Sequence, residues 1–178
     1  YSLSNSFAEP LVHAELIQLT RERGDDSLVE MYHNHSLEYT PNGGSLDLRE
    51  EIAKLYDSPT ITAHHILVTA GAQVAIQTAA LAFGTDCHSI VFVPGYQSTV
   101  EFLSTNKSRI TQIRRSAQDN WQVDIRQVKE AIRPNTKFLI VNEPHNPSGT
   151  CMSRETQVQL IQLAREYYIV ILCDEVYR

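Results

Sequence analysis

The segment FLIVNEPHNPSGT, residues 138–150, decides the fold predicted for this chain. Its first four residues form a continuous apolar run of strand length, which is typical of a parallel strand covered on both faces. Two prolines and a glycine in the nine residues that follow restrict the backbone to a rigid turn. Because this turn follows the carboxyl end of a strand, we expect it to project the amide of Asn146 into a ligand-binding crevice.

The rest of the chain alternates helical segments with short apolar runs, which predicts a three-layer α/β fold with a mostly parallel sheet. Besides 138–141, the predicted strands are residues 66–69, 89–93, 110–113 and 169–172. Predicted helices cover 11–23, the segment from Ser45 to just before Pro59, about 72–83, and segments that begin near Gln97, Asp124 and Ser153. In the last of these helices, Val158, Ile161 and Ala164 are expected to face inward. Residues 25–42 are predicted to be polar and irregular.

Composition narrows the classes of function. The 178 residues suit one domain with a real core, and the formal net charge of −6 without a basic run argues against nucleic acid and anionic membrane surfaces as partners. No apolar run approaches the length of a membrane span, and the start lacks the pattern of a signal peptide. Cys87, Cys151 and Cys173 have no CxxC spacing and are predicted to be buried free thiols. We therefore expect a cytoplasmic protein.

Two segments at predicted strand ends could contact a ligand. Thr69-Ala70-Gly71-Ala72-Gln73 leads from a strand into a helix, where small residues and free N–H groups suit a phosphate. A tight turn with no ligand explains this segment equally well. Tyr96 follows the strand at 89–93 and could lie against a flat heteroaromatic ring, although an ordinary packed loop tyrosine explains it at least as well.

Asp174 follows the last predicted strand, where a carboxylate needs a partner. A protonated heterocycle nitrogen would supply one, and the pair would keep that nitrogen charged. Tyr177, three residues later, could donate a hydrogen bond to a phenolic oxygen of the same ring. A helix cap is the alternative role for Asp174. The histidine pairs His33/His35 and His64/His65 lack a third ligand at matching spacing, so we predict no metal site.

In this order, these segments resemble the fold type I pyridoxal-phosphate enzymes, the aspartate aminotransferase family of aminotransferase classes I and II. Residues 39–43, followed by Leu48-Arg49, are similar to an early tyrosine-glycine-leucine-arginine segment of that family. The resemblance implies that Gly71, Ala72 and Gln73 form the phosphate cup and that Tyr96 stacks on the pyridine ring. It implies that Asn146 contacts the phenolic oxygen and lies close to the substrate carboxylate.

The resemblance assigns further roles by the same matching. Asp174 would bind the pyridine nitrogen, Tyr177 the phenolic oxygen, and Tyr39 the cofactor phosphate of the neighbouring subunit in a homodimer. Residues 1–38 would form an amino-terminal arm and helix on the substrate side, and residues 39–178 the first part of the cofactor-binding large domain. The implied activity is transfer of an amino group between an α-amino acid and a 2-oxo acid. The alternatives are a pyridoxal-phosphate lyase or synthase that catalyses β-elimination or cyclisation, and a non-catalytic aminotransferase-like sensor.

One family feature is missing from the sequence. The Schiff-base lysine of the family lies some thirty residues beyond the strand aspartate, whereas the lysines of this chain all precede Asp174: Lys54, Lys107, Lys129 and Lys137. We therefore assign no catalytic residue within these 178 residues, and we expect them to be the amino-terminal portion of a protein of roughly twice the length.

Overall fold

The computed structural model describes residues 8–105 and 108–178. The chain forms two compact units, Tyr1–Ser45 and Leu46–Arg178. The division predicted between residues 38 and 39 on the basis of the resemblance stays a prediction about domains of the whole protein. Residues 1–7 of the predicted amino-terminal arm, and Lys107, lie outside the described residues.

The first unit consists of two helices, α1 (His13–Glu22) and α2 (Asp26–His33). The helix predicted over residues 11–23 is therefore confirmed, but the prediction of an irregular segment over 25–42 was wrong for residues 26–33. Helix α2 is only two turns long and rich in polar residues, and it buries a single side chain, that of Val29. Such a short amphipathic helix is stabilised by its packing and not by its intrinsic propensity, so its sequence signal is weak.

The second unit contains the sheet and the helices that cover it. Its helices are α3 (Leu46–Ala53), α4 (Ala72–Phe83), α5 (Ser98–Thr105), α6 (Ile125–Ala131) and α7 (Arg154–Glu166). Its strands are β1 (His88–Val93), β2 (Arg109–Arg114), β3 (Thr136–Asn142) and β4 (Val170–Asp174). Side chains cap two of the helices near their predicted starts, since the Asp124 side chain accepts from the Arg126 N–H and that of Ser153 from the Thr156 N–H.

The strands form one parallel sheet in the order β2-β1-β3-β4. Strand β3 is central, and its residues 138–141 are all buried, as a strand covered on both faces requires. The register places Asn142, the last residue of β3, directly beside Asp174, the last residue of β4. The carboxyl ends of β3 and of its neighbour β4, which lies at one side of the sheet, therefore present polar side chains next to each other.

Alternate residues of the strands enter two separate hydrophobic cores. Leu139 and Val141 face one core together with buried residues of α6 and α7, such as Val128 and Leu160. Phe138 and Ile140 face the other core, where buried residues of α4 and α5 such as Ala80 and Leu103 pack against them. The predicted three-layer α/β architecture is therefore confirmed.

Two details of the prediction were wrong. Residues 66–69 are not part of the sheet, because β1 pairs with β2 and β3 and, in the described residues, no strand is placed to pair with this segment. Helix α7 buries Leu160, Leu163 and Ala164, whereas Val158 and Ile161 are exposed. The helix has apolar residues on more than one face, so hydrophobic spacing alone did not determine which face is buried.

The cysteines differ from the prediction in burial. All three are free thiols, but only Cys87 is buried, whereas Cys151 and Cys173 are exposed. Cys151 lies in the loop between β3 and α7, and Cys173 lies in β4, which is an edge strand of the sheet. No helix in the described part of the chain is long and apolar enough to cross a membrane.

A histidine is buried at the amino end of the sheet, far along the strands from the polar edge. His88 is fully buried, with Nδ1 2.7 Å from the Thr136 hydroxyl and Nε2 2.8 Å from the Thr111 hydroxyl. Burial, with a smaller contribution from the charge of Arg133, lowers the pKa of His88 from its usual 6.5. The folded protein therefore keeps this ring neutral at a pH where the unfolded chain takes up a proton.

We expect His88 to make the fold sensitive to acid. As the pH falls below about 6.5, the unfolded state binds a proton that the folded state does not, so the free energy of unfolding falls, by at most about 1.4 kcal/mol per pH unit for one group. His88→Gln keeps a side chain that can donate and accept but does not titrate, so its unfolding should depend less on pH between 7 and 5. Urea unfolding across this range measures the slope, and identical slopes for the two proteins would contradict the assignment.

Candidate functional site

A cleft opens at the carboxyl edge of the sheet, within the second unit. Its walls come from the start of α4, the loop after β1, the end of β3 with its following loop, and the end of β4. The lining residues are Ala72, Ile76, Tyr96, Asn142, Asn146, Asp174, Val176 and Tyr177. This is the edge at which open parallel sheets bind their ligands.

The start of α4 forms an open floor with free N–H groups. Gly71 is the N-cap residue, its φ is +89°, and no side chain in the described part of the chain caps this end of the helix. This φ favours glycine, and among the described residues a Cβ added there would meet no atom within 4 Å. The exposed first turn, with Ala72 and Gln73, therefore offers N–H groups and a positive dipole end to an anion.

Asn142 holds together the two strand ends at the back of the cleft. Its side chain is 7% exposed, its Oδ1 accepts from the Asn146 N–H at 2.7 Å, and its Nδ2 donates to the Asp174 carbonyl oxygen at 3.0 Å. The Glu143 N–H donates to the same carbonyl oxygen at 3.0 Å. The turn that carries Asn146 is thus hydrogen-bonded to the end of β3 and, through it, to the end of β4.

The loop of residues 143–150 is also fixed to the loop that carries Tyr96. His145 is buried, and its Nε2 donates to the Pro94 carbonyl oxygen at 2.9 Å, since a carbonyl can only accept. Its Nδ1 then accepts from the Ser148 hydroxyl at 2.6 Å. Burial lowers the pKa of His145, which favours this neutral tautomer. Gly149, at φ +70°, closes the turn by donating its N–H to the His145 carbonyl oxygen.

A buried ion pair between Arg115 and Glu143 also holds the loop of residues 143–150 in place. The Arg115 side chain is 2% exposed and its Nη1 lies 3.0 Å from Oε1 of Glu143, which is 13% exposed. Arg115 also donates to the Trp121 carbonyl oxygen and to the Thr150 hydroxyl, while the Met152 N–H donates to Oε2 of Glu143 at 2.7 Å. Burial lowers the pKa of Arg115, and Glu143 opposes that shift. Both charged groups are therefore multiply hydrogen-bonded.

Asp174, the last residue of β4, contributes a carboxylate to the wall of the cleft. It is 9% exposed, and among the described residues its carboxylate accepts one hydrogen bond, from the Val176 N–H at 3.2 Å. Tyr177, three residues later, also lines the cleft. Arg178 fixes the position of this segment, because it donates to the Leu55 carbonyl oxygen at 3.2 Å and lies over the Tyr56 ring at 4.8 Å. Asp174 therefore has capacity to bind a cationic ligand group.

The structure brings most of the predicted site residues together. Ala72, Tyr96, Asn146, Asp174 and Tyr177 line the cleft, and Gly71 and Gln73 flank Ala72 at the start of α4. Tyr39 belongs to the first unit, where it is fully exposed. Sequence reasoning missed Asn142, Glu143 and His145, although all three lie in the quoted segment, and it missed Arg115, for which the sequence gives no signal.

The chemistry of the cleft suits one kind of ligand. Helix N–H groups at the floor fit a phosphate, the exposed ring of Tyr96 fits the face of an aromatic ring, and the carboxylate of Asp174 fits a cationic ring nitrogen. The Asn146 amide and the Tyr177 hydroxyl can donate to an oxygen substituent of that ring. A phosphorylated hydroxypyridine carries all of these groups.

Comparison with known proteins agrees with this description. Residues 17–178 match the family model of aminotransferase class I and II. A probable aspartate aminotransferase of Methanocaldococcus jannaschii is 34% identical over 147 residues, which cover 78% of this chain and 38% of that protein. A tyrosine aminotransferase of Dictyostelium discoideum is 29% identical over 183 residues, which cover 99% of this chain and 43% of that protein.

Solved structures show the same fold. A PLP-dependent aminotransferase from Streptococcus suis superposes with a TM-score of 0.81 at 26% identity, covering 94% of this chain and 44% of that chain. An aspartate aminotransferase variant of Thermus thermophilus gives a TM-score of 0.80 at 26% identity, covering 88% and 42%. The chain spans about two fifths of the length of these relatives.

Proposed function

We propose that this chain, which belongs to the aminotransferase class I and II family, forms most of the binding site for pyridoxal 5'-phosphate in an enzyme that moves an amino group between an α-amino acid and a 2-oxo acid. The observation that carries the proposal is the buried carboxylate of Asp174, which shares a cleft with Tyr96, Asn146 and Tyr177. An ion pair with the ring nitrogen would satisfy this carboxylate, whose one hydrogen bond among the described residues is long.

Each part of the cleft has a defined task in this proposal. The N–H groups of Ala72 and Gln73 hold the phosphate, Gly71 forms the turn that exposes them, and the ring of Tyr96 lies against the pyridine ring. Asp174 keeps the ring nitrogen protonated, and Asn146 and Tyr177 donate to the phenolic oxygen. The cofactor, when bound, acts as an electron sink for the carbon that carries the amino group. These residues orient and tune the ring, and none of them is assigned the proton transfer.

The proposal includes a cytoplasmic homodimer. Its support is the resemblance of residues 39–43 to the family segment whose tyrosine reaches the neighbouring subunit, together with the complete exposure of Tyr39. No described residue covers this phenol, so it is accessible to a neighbouring subunit, as a group that binds a partner's phosphate must be. In such a dimer each cofactor would be held mainly by one subunit and capped by Tyr39 of the other.

We expect the protein that carries this chain to transfer nitrogen between carbon skeletons. The test supplies pyridoxal phosphate, a uniformly 15N-labelled amino acid mixture and unlabelled 2-oxoglutarate, and follows the label by mass spectrometry. Transamination places the label in newly formed glutamate and leaves the 2-oxo acid of the donor. A reaction without the 2-oxo acid is the control.

The other outcomes of this experiment separate the alternatives. Release of labelled ammonia without labelled glutamate would indicate an elimination reaction and contradict transamination. Cofactor binding without any turnover would indicate a sensor. A protein that does not retain pyridoxal phosphate at all would contradict the proposed site.

A further inference from the structure

Asn142 occupies a position between the two polar groups that face the proposed cofactor. It is the last residue of β3, its register partner is Asp174, and its Oδ1 bonds the backbone of Asn146 four residues later. It lines the cleft, yet its two amide atoms are both used within the protein. Its side chain therefore acts on other residues and not on a ligand.

The two hydrogen bonds of Asn142 require an amide. The Oδ1 must accept from an N–H at 2.7 Å, while the Nδ2 must donate to a carbonyl at 3.0 Å. A carboxylate of the same shape could accept from Asn146 but would place an oxygen against the Asp174 carbonyl oxygen. An apolar side chain would leave the Asn146 N–H without this acceptor and the Asp174 carbonyl oxygen with the Glu143 N–H alone. Asparagine is thus the residue that fits this position with both bonds made.

We propose that Asn142 is a positioning residue that sets the spacing between the Asn146 amide and the Asp174 carboxylate, so that the two can meet the phenolic oxygen and the nitrogen of one ring. This inference rests on the proposed function. The Asn146 turn and the end of β4 belong to different strands, and Asn142 bonds directly to both. Displacing either one would move a polar group relative to the phenolic oxygen or the ring nitrogen.

The first test is a double-mutant cycle on cofactor affinity, measured by equilibrium dialysis of pyridoxal phosphate against the protein that carries this chain. We expect Asn142→Ala to weaken binding about tenfold, the effect of one well-placed hydrogen bond. In an Asn146→Ala background, where no side-chain amide remains to be placed, the same change should weaken binding less, because only the lost bond to the Asp174 carbonyl oxygen still has an effect. Equal effects in the two backgrounds would contradict the positioning role.

The second test separates the two bonds. Asn142→Asp keeps the acceptor for the Asn146 N–H but removes the donor to the Asp174 carbonyl oxygen. Its effect on affinity should therefore persist in the Asn146→Ala background and shrink in an Asp174→Ala background. The reverse pattern would contradict the assignment of the two bonds. Because the change is isosteric, it also tests the idea if Asn142→Ala fails to fold.

Thr136→Val is the matched control for stability. Thr136 lies at the other end of β3, is buried, and bonds His88 and the Arg133 N–H through its hydroxyl. We expect this variant to unfold at a lower urea concentration with unchanged cofactor affinity. A loss of affinity that simply follows stability in Thr136→Val and Asn142→Ala would indicate a structural role only.

The cycle also distinguishes this inference from the function on which it rests. Asn146→Ala and Asp174→Ala should each weaken cofactor binding on their own. If neither does, both the proposed cofactor site and the positioning role of Asn142 are contradicted. If both do while Asn142→Ala acts additively with each, the site stands and only the role of Asn142 is contradicted.

Discussion

Replacing Arg115 by methionine should lower the free energy of unfolding by about 3 to 5 kcal/mol, because it leaves the buried carboxylate of Glu143 without its cation. The Arg115 side chain is 2% exposed and Glu143 is 13% exposed, so water compensates only a small part of the contact that the Glu143 carboxylate loses. The Met152 N–H would remain as a partner of Glu143, but one neutral donor does not balance a buried charge.

The double variant Arg115→Met/Glu143→Met distinguishes this account from a simple loss of packing. Removing both charges leaves no uncompensated ion, so we expect the double variant to be more stable than Arg115→Met alone. Urea unfolding followed by circular dichroism measures the three stabilities. Lys54→Met, which breaks the exposed pair with Glu51, is the control and should leave the unfolding curve essentially unchanged. A double variant less stable than the single one would contradict the account.

Replacing Asp174 by alanine should weaken the binding of pyridoxal phosphate about a hundredfold, which corresponds to about 3 kcal/mol. The carboxylate is 9% exposed and has spare acceptor capacity toward the cleft, so its ion pair with a ring nitrogen would be shielded from water. Asp174→Asn keeps the size of the side chain and its ability to accept from the Val176 N–H, but it removes the charge. We expect it to lose most of the same affinity.

Asp119→Ala is the matched control for these two variants. Asp119 is an exposed aspartate whose carboxylate accepts from the Ser116 hydroxyl, and it does not line the cleft. Its replacement should leave cofactor affinity unchanged. Unchanged affinity in Asp174→Asn as well would mean that the charge of Asp174 does not contribute to binding.

The sequence predicted the sheet and the residues that line the cleft better than it predicted the buried residues that hold the cleft loops in place. The apolar run 138–141 and the turn after it identify the central strand and the position of Asn146, because both signals are local. The contact of Arg115 with Glu143 depends on two loops that lie 28 residues apart in sequence. An arginine after a polar strand end looks like an ordinary surface residue, so no pattern indicated its burial.

Other differences have equally physical causes. Residues 66–69 have the composition of a strand, but a strand also needs a neighbour to bond, and no strand among the described residues pairs with this segment. Helix α7 carries apolar residues on more than one face, so its buried face is chosen by the sheet beneath it. Asn142 was visible in the sequence, but its role follows only from the register that places it beside Asp174.

The central claim is that the Asp174 carboxylate pairs with the ring nitrogen of pyridoxal phosphate, and one measurement tests it most directly. The dissociation constants of pyridoxal phosphate and of an analogue with carbon in place of the ring nitrogen are determined for the unaltered protein and for Asp174→Ala. We predict that the unaltered protein prefers pyridoxal phosphate about a hundredfold and that Asp174→Ala binds the two molecules equally. The same preference in both proteins would contradict the pairing.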